Sequence, residues 1–232
     1  MCTKPNPMNS RDSYGSPEPG TTRFLDIESC RSILDPFQAC WRDLAQEASQ
    51  LGADWVEHPD TYFAPFGWYL SPIRYFGIDN PEAMAAAPVL GDLVARDARV
   101  MTAQYLRLAP GAEVAAHRGR PMGVGRFHLG LVVPDDCGLQ VGDVTRTWVE
   151  GEWIAFDDVQ LHRTWNHSDR DRIVLSLDFE HPDIPMPRRA YATRFAQGAW
   201  YSAVGGSPRA RRAMMWYSRS IRSRFWPLDD SS

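Results

Sequence analysis

Five side chains in the second half of this 232-residue chain are of types that could do chemistry together: His117, Arg126, His128, His162 and Arg172. Neutral imidazoles are good nitrogen ligands for Fe(II), whose usual facial set adds one carboxylate. Arginine presents a planar fork matched to a carboxylate. In "GRFHLGLVV" (125–133) alternate side chains of a strand point to opposite sides, so Phe127, Leu129, Leu131 and Val133 share one face. Arg126 and His128 share the other, with Gly130 clearing space after them. Core packing alone does not ask for that polar face, so a polar occupant is expected. "RIVLSLDFE" repeats the arrangement, with Ile173, Leu175, Leu177 and Phe179 opposite Arg172, Val174, Ser176, Asp178 and Glu180.

His162 precedes Arg172 by ten residues, across the turn "NHSDRD". A hairpin pairing Asn166 with Arg172 would put His162 and Arg172 on one face, roughly 13 Å apart along the strand. That gap suits a metal on the imidazole and a short dicarboxylate held at its far end by the guanidinium. A slip of one residue would put them on opposite faces. His117 opens the loop "HRGRPMGVG", which returns the chain to Arg126 and His128. Asp158, four residues before His162, is the carboxylate at hand, although "FDD" also reads as a polar turn. Any one of these histidines alone reads more readily as a hydrogen-bonded barrel residue; the set points to a site. His58 and His167 lack such company and read as solvated, and His181 reads as a structural strand end.

A β scaffold must position these groups. From Val100 to Phe179 the chain alternates short apolar runs with the turns "APG", "PDDCG", "GE" and "NHSDRD". Seven or eight strands at this spacing imply a small β-barrel or two-sheet jelly roll. Upstream, Ile33, Leu34, Phe37, Trp41, Leu44 and Leu51 mark one helical stripe that stops at Gly52. "FGWYLSPIRYFG" reads as a strand, and a short helix is expected from Pro81 to about Ala95. Residues 1–22 read as a disordered leader rich in Pro, Ser, Gly and Asn. Residues 184–232 read as a basic helical extension that packs an aromatic stripe and solvates its charges, with contact to an anionic surface as the sharper alternative.

The formal net charge is −4, but from His181 onward nine Arg face three acidic residues, which leaves −10 for the first 180. That balance favours no nucleic-acid partner. Four cysteines without a CxxC spacing read as reduced thiols. No apolar run is long enough for a membrane span, and the first residues lack the core of a signal peptide, so a cytoplasmic protein is expected.

In order, "PGAEVAAHRG", "RFHLGLVVP", "WVEGEWIAFDD" and "LHRTWNHSDRDRIVLSLDFEHPD" resemble the aspartyl/asparaginyl β-hydroxylases. The resemblance covers Leu108 to Asp183 and extends more weakly to Trp68. It implies a mainly β chain with flanking helices, a double-stranded β-helix (cupin-like jelly roll) over 23–183, and a 2-oxoglutarate- and Fe(II)-dependent dioxygenase that uses molecular oxygen. On that resemblance His117 and His162 bind the iron and Arg172 the far carboxylate of 2-oxoglutarate. His128, Arg126 and Trp68 then surround the cosubstrate, or Arg126 meets a substrate carboxylate. Gly119 stands where a facial triad would have its carboxylate, so water or Asp158 completes the coordination. Leu106 replaces a small hydroxyl residue, and Val124 replaces a second Arg found in some members. The implied reaction is hydroxylation of an unactivated carbon, first of all the β-carbon of Asp or Asn in a peptide or a related amino acid. Hydroxylation of a lipid acyl chain is the alternative within the family. A non-enzymatic jelly roll that binds a small carboxylate is the alternative outside it.

Overall fold

In the computed structural model the described residues are 24–60, 62–186, 190, 192, 194, 196, 198 and 199. The expected helical stripe forms, but as two helices, α1 (Arg31–Ala39) and α2 (Trp41–Gln50). Pro36 lies inside α1 and removes one backbone donor, and the chain breaks helical geometry at Cys40, with ψ of 15°. The strands β1 (Val56–Glu57), β2 (Trp68–Tyr75) and β3 (Ile78–Asp79) follow. The helix expected from Pro81 is also two, α3 (Pro81–Ala86) and α4 (Pro88–Arg96). Ala87 precedes a proline and is pushed out of helical geometry, to φ −127° and ψ 69°. Pro88 then opens α4, where its missing N–H costs nothing.

Eight strands complete the barrel: β4 (Thr102–Leu108), β5 (Ala112–His117), β6 (Gly125–Val132), β7 (Cys137–Val141), β8 (Val144–Arg146), β9 (Trp153–Phe156), β10 (His162–Asn166) and β11 (Arg172–Phe179). The larger sheet runs β1-β2-β4-β11-β6-β9 with β3 on β2, and the smaller runs β5-β10-β7-β8. Each strand pair is antiparallel. The apolar faces of β6 and β11 meet the helices, where Phe127, Leu129, Leu175, Leu177 and Phe179 join Leu34, Phe37, Leu44, Leu90 and Val94 in one core. Their other faces look toward the smaller sheet, where Leu70, Leu106, Val174, Ile154 and Phe156 pack with Leu139 and Val141 of β7. A buried carboxylate ties helices to barrel. Glu47 of α2 accepts from Val89 N (2.6 Å) and Leu90 N (3.1 Å) at the start of α4, and from Tyr105 Oη of β4 (2.6 Å).

The hairpin expected across "NHSDRD" does not form. β10 pairs with β5 and β7, while β11 pairs with β4 and β6, so the turn carries the chain from one sheet to the other. The reason is local and global. The Asn166 side chain, fully buried, donates to Leu108 O (2.9 Å) and Arg170 O (2.7 Å) and pins a corner. All eight residues of β11 are buried, which requires a long partner on each edge.

The leader expected over 1–22 lies outside the described residues, as does most of the basic helix expected over 184–232; its described residues from 190 to 199 are helical. Cys30, Cys40 and Cys137 are free thiols. Among the described residues no helix is long and apolar enough to cross a membrane.

Candidate active site

Strand register places the two candidate ligands side by side. His117 ends β5, His162 begins β10, and they are direct cross-strand partners with ring centroids 4.3 Å apart. Each ring is held by its own strand end: His117 Nδ1 lies 2.8 Å from Ala115 O, and His162 Nδ1 lies 2.8 Å from Gln160 O. A carbonyl only accepts, so each Nδ1 carries the proton and each Nε2 keeps its lone pair, the form a metal requires. Burial lowers the pKa of both, and the neighbouring His117 helps push His162 down to about 4. Both imidazoles are therefore neutral at physiological pH. Phe63 stacks on His117 at 4.5 Å and Phe156 lies 5.3 Å from His162, so aromatic walls flank the pair.

Next to the pair lies a second group. Arg172 is 2% exposed, its guanidinium lies 4.6 Å from the centroid of the Trp148 ring, and its Nη2 reaches Thr164 Oγ1 at 3.4 Å. Thus Arg172 meets β10 across the two sheets, not along one strand pair. His128 of β6 is the cross-strand partner of Ser176 of β11. Arg172 Nε, both ring nitrogens of His128, Ser176 Oγ and Trp148 Nε1 are buried without a hydrogen-bond partner in the protein. Each such orphan costs about 1–3 kcal/mol unless something pairs with it. Burial lowers the Arg172 pKa to about 10, so it stays cationic. Burial, then the charges of Arg126 and Arg172, push His128 well down, so it stays neutral. One cation and several neutral donors converge here, a donor set that fits the carboxylate of a small dianion.

Gly130 does not clear room for that ligand. A Cβ there would stand 2.4 Å from Val149 O, and the space it leaves admits the backbone that carries Trp148 inward. The strand β8 accordingly ends at Arg146, two residues before Trp148.

Arg126 has a different setting from the one expected. Its guanidinium grips Asp178 at two points, Nε to Oδ1 at 2.9 Å and Nη2 to Oδ2 at 3.1 Å, and its Nη1 reaches Asp158 Oδ1 at 2.5 Å. Burial opposes its charge, yet the two aspartates outweigh burial and raise its pKa. Asp158 in turn lies 3.4 Å from His162 Nε2. Its carboxylate fills the space beside Gly119, where an added Cβ would sit 1.7 Å from Asp158 Oδ2. Gly119 therefore lacks a side chain because Asp158 occupies its place. Among the described residues no set of three or more His, Cys, Asp or Glu side chains converges as a metal cage. The imidazoles of His117 and His162 lie together, with Asp158 3.4 Å from His162 Nε2. The charges grouped here balance, the partly buried Arg126 and buried Arg172 against the partly buried Asp158 and buried Asp178.

Trp68 of β2 lies 6.4 Å from the His117 ring, and both it and Arg172 pair with Leu108 of β4. His58 is half-buried and stacks on Trp68 at 3.4 Å, so it borders the site instead of being solvated. His167 is exposed and pairs with Glu113 at 2.6 Å. His181 is buried and bonds Asp26 O at 2.8 Å, tying the segment before α1 to the strand end. Sequence reasoning placed Ser176 and Asp178 on the polar face of β11 but gave neither a role, and it missed Trp148. The alternation supplied the signal for the first two; for Trp148 there was none.

The fold is a two-sheet β jelly roll that sets a backbone-fixed imidazole pair near a buried arginine. The chain belongs to the aspartyl/asparaginyl beta-hydroxylase family, whose model matches residues 38–182. It is 37% identical over 110 residues to the ornithine lipid ester-linked acyl 2-hydroxylase of Rhizobium tropici, covering 46% of this chain and 39% of that protein. It is 35% identical over 89 residues to human aspartyl/asparaginyl beta-hydroxylase, covering 38% of this chain and 12% of that one. The chain thus spans well under half of either relative. Among solved structures it is similar to an oxidoreductase of the 2OG-Fe(II) oxygenase family from Burkholderia pseudomallei, at TM-score 0.42 and 16% identity over 68% of this chain and 94% of that one.

Proposed function

We propose that this protein is a 2-oxoglutarate-dependent Fe(II) hydroxylase acting on an unactivated carbon. One observation carries the reading: a pair of neutral imidazoles whose Nδ1 atoms are held by backbone carbonyls lies near buried, unpartnered donors grouped around Arg172. The imidazoles of His117 and His162 would hold the iron, with Asp158 beside the remaining coordination positions. Arg172 would take the far carboxylate of the cosubstrate, and Ser176, His128 and Trp148 Nε1 would donate to the oxygens nearby. Iron, when bound, activates oxygen and supplies the oxidising power for hydroxylation while 2-oxoglutarate is converted to succinate and carbon dioxide. Phe63, Trp68 and Phe156 exclude water from the reacting side, and the two backbone carbonyls keep both imidazoles in the metal-binding tautomer.

The substrate suggested first by the family is the β-carbon of an Asp or Asn residue in a peptide or of a related amino acid. A specific feature favours the second substrate, an acyl chain. Arg126 is already paired with two carboxylates, and Met122 and Val124 just before it in the chain are buried apolar residues. A charged substrate side chain would find Arg126 already committed, whereas a methylene would need no polar partner. The test is incubation with iron, 2-oxoglutarate and oxygen beside two panels, Asp- and Asn-containing peptides and acylated amino acids. A mass gain of roughly 16 Da, one oxygen atom, coupled to succinate supports hydroxylation and names the panel. Succinate release without any iron dependence would refute the reading.

A further inference from the structure

Among the described residues beyond the family match, Arg194 reaches the connection that joins His117 to Arg126. Arg194 is helical and 4% exposed. Its Nε donates to Met122 O at 2.7 Å, its Nη2 to Gly123 O at 3.0 Å, and its Nη1 pairs with Glu180 Oε1 at 2.9 Å. Both carbonyls lie in the connection between His117, at the end of β5, and Arg126, at the start of β6. Gly123 has a positive φ of 69°, a turn conformation in which consecutive carbonyls need not alternate as they do along a strand. The same helical stretch has a second anchor. A Cβ on Gly198 would lie 3.1 Å from Tyr75 O and from Ile78 Cδ1, so Gly198 packs tightly on the β2–β3 turn. The polar face of β11 and its extension thus serves two guanidinium groups: Asp178 takes Arg126, and Glu180 takes Arg194.

The connection it grips needs a restraint. "HRGRPMGVG" has glycine at 119, 123 and 125, so its backbone is costly to order. We infer that Arg194 is a positioning residue for the site: it fixes the 118–124 connection through two carbonyls and so sets His117 relative to Arg126. The segment after residue 186 is then a working part of the active site. Arg194 itself touches neither imidazole nor the Arg172 group; it acts through the loop. The functional half of this inference rests on the iron reading, while the structural half does not.

The test uses the full chain as wild type, Arg194→Ala, Arg194→Lys and Glu180→Gln. Amide hydrogen exchange is followed over 118–125 and over β4 and β11, and anaerobic titrations read iron and 2-oxoglutarate separately. Arg194→Ala should speed exchange over 118–125 by about tenfold or more while β4 and β11 keep wild-type protection. The iron half-saturation should rise about fivefold or more, with the 2-oxoglutarate half-saturation at saturating iron within about twofold of wild type, because Arg172 sits on another strand. Arg194→Lys should recover part of the loop protection, and Glu180→Gln, which spares both carbonyl bonds, nearly all of it. Unchanged loop exchange in Arg194→Ala overturns the inference. If that variant loosens β4 and β11 as well, Arg194→Lys decides: loosening confined to the loop supports the inference, and loosening of the whole barrel overturns it. Wild-type protein that takes up no iron would refute the hydroxylase reading, yet the loop exchange would still decide the positioning role.

Discussion

Replacing Arg126 by Met, in metal-free protein, probes the buried charge network most sharply. The change keeps much of the side-chain volume but leaves Asp178, whose side chain is 3% exposed, without the fork that grips both its oxygens. Burial already raises the Asp178 pKa even with Arg126 present. Without the arginine, the carboxyl escapes an uncompensated charge by taking a proton. Protonating a group of unfolded pKa near 3.9 costs about 4 kcal/mol at pH 7 and about 1.5 kcal/mol at pH 5, which sets the ceiling of the Asp178 share; Asp158, which also loses its partner, adds to the deficit. Breaking a buried pair costs about 3–5 kcal/mol, in the same range. The sign follows from linkage. A carboxyl with a raised folded pKa contributes stability that is intact below its unfolded pKa and lost as pH rises, so the deficit of the variant should shrink on acidification. In urea unfolding, Arg126→Met should lose about 3–4 kcal/mol at pH 7, or a melting temperature lower by about 6–16 °C, and much less at pH 5. Adding Asp178→Asn should recover the Asp178 share of the loss, leaving the part due to Asp158. A deficit under about 1 kcal/mol, or one that does not change between pH 5 and 7, would refute the reasoning.

Other outcomes follow from the same geometry. Arg172→Ala should raise the 2-oxoglutarate half-saturation by about 30- to 1000-fold, with iron binding intact, because a desolvated carboxylate loses its charged partner; an unchanged value in an anaerobic titration would contradict that role. Gly119→Ala should displace Asp158, whose Oδ2 lies 1.7 Å from the added carbon, and so weaken iron binding and lower the melting temperature; wild-type values in both would mean that the carboxylate does not fill that space. Burial beside Glu47 raises the Tyr105 phenol well above its usual pKa. Its contribution to stability is complete below about pH 10 and is lost above it, at most about 1.4 kcal/mol per pH unit. Tyr105→Phe should flatten that alkaline slope in denaturant titrations while costing about 1–2 kcal/mol near neutrality.

The strands were readable wherever one face was polar and the other apolar. β6 and β11 stand where their alternation put them, with their apolar faces on the helices. How the strands divide between sheets was not readable. "NHSDRD" has the composition of a hairpin turn, and only the buried amide of Asn166, bonded to Leu108 O, turns it into a corner between sheets. The helix expected from Pro81 became a pair because Pro88 pushes Ala87 out of helical geometry, and the upstream stripe breaks at Cys40, a local change that a periodic stripe does not register. In the site, His117, His162 and Arg172 could be singled out by type and order. The partners of Arg126 could not, since Asp158 and Asp178 lie 32 and 52 residues away and their pairing depends on strand register. Trp148 was hidden in the same way, for its inward path depends on a missing Cβ at Gly130, on another strand.

The central claim is that two imidazoles and one guanidinium act on one metal–dicarboxylate unit. The direct measurement is an anaerobic titration of the protein with Fe(II) and 2-oxoglutarate, followed by the visible charge-transfer absorbance, in wild type, His117→Ala, His162→Ala and Arg172→Ala. Wild type should develop the band at one iron per chain, either histidine variant should lose it, and Arg172→Ala should develop it only at much higher 2-oxoglutarate. A band that survives removal of either imidazole, or wild-type protein that binds the dicarboxylate equally well with and without iron, would contradict the account.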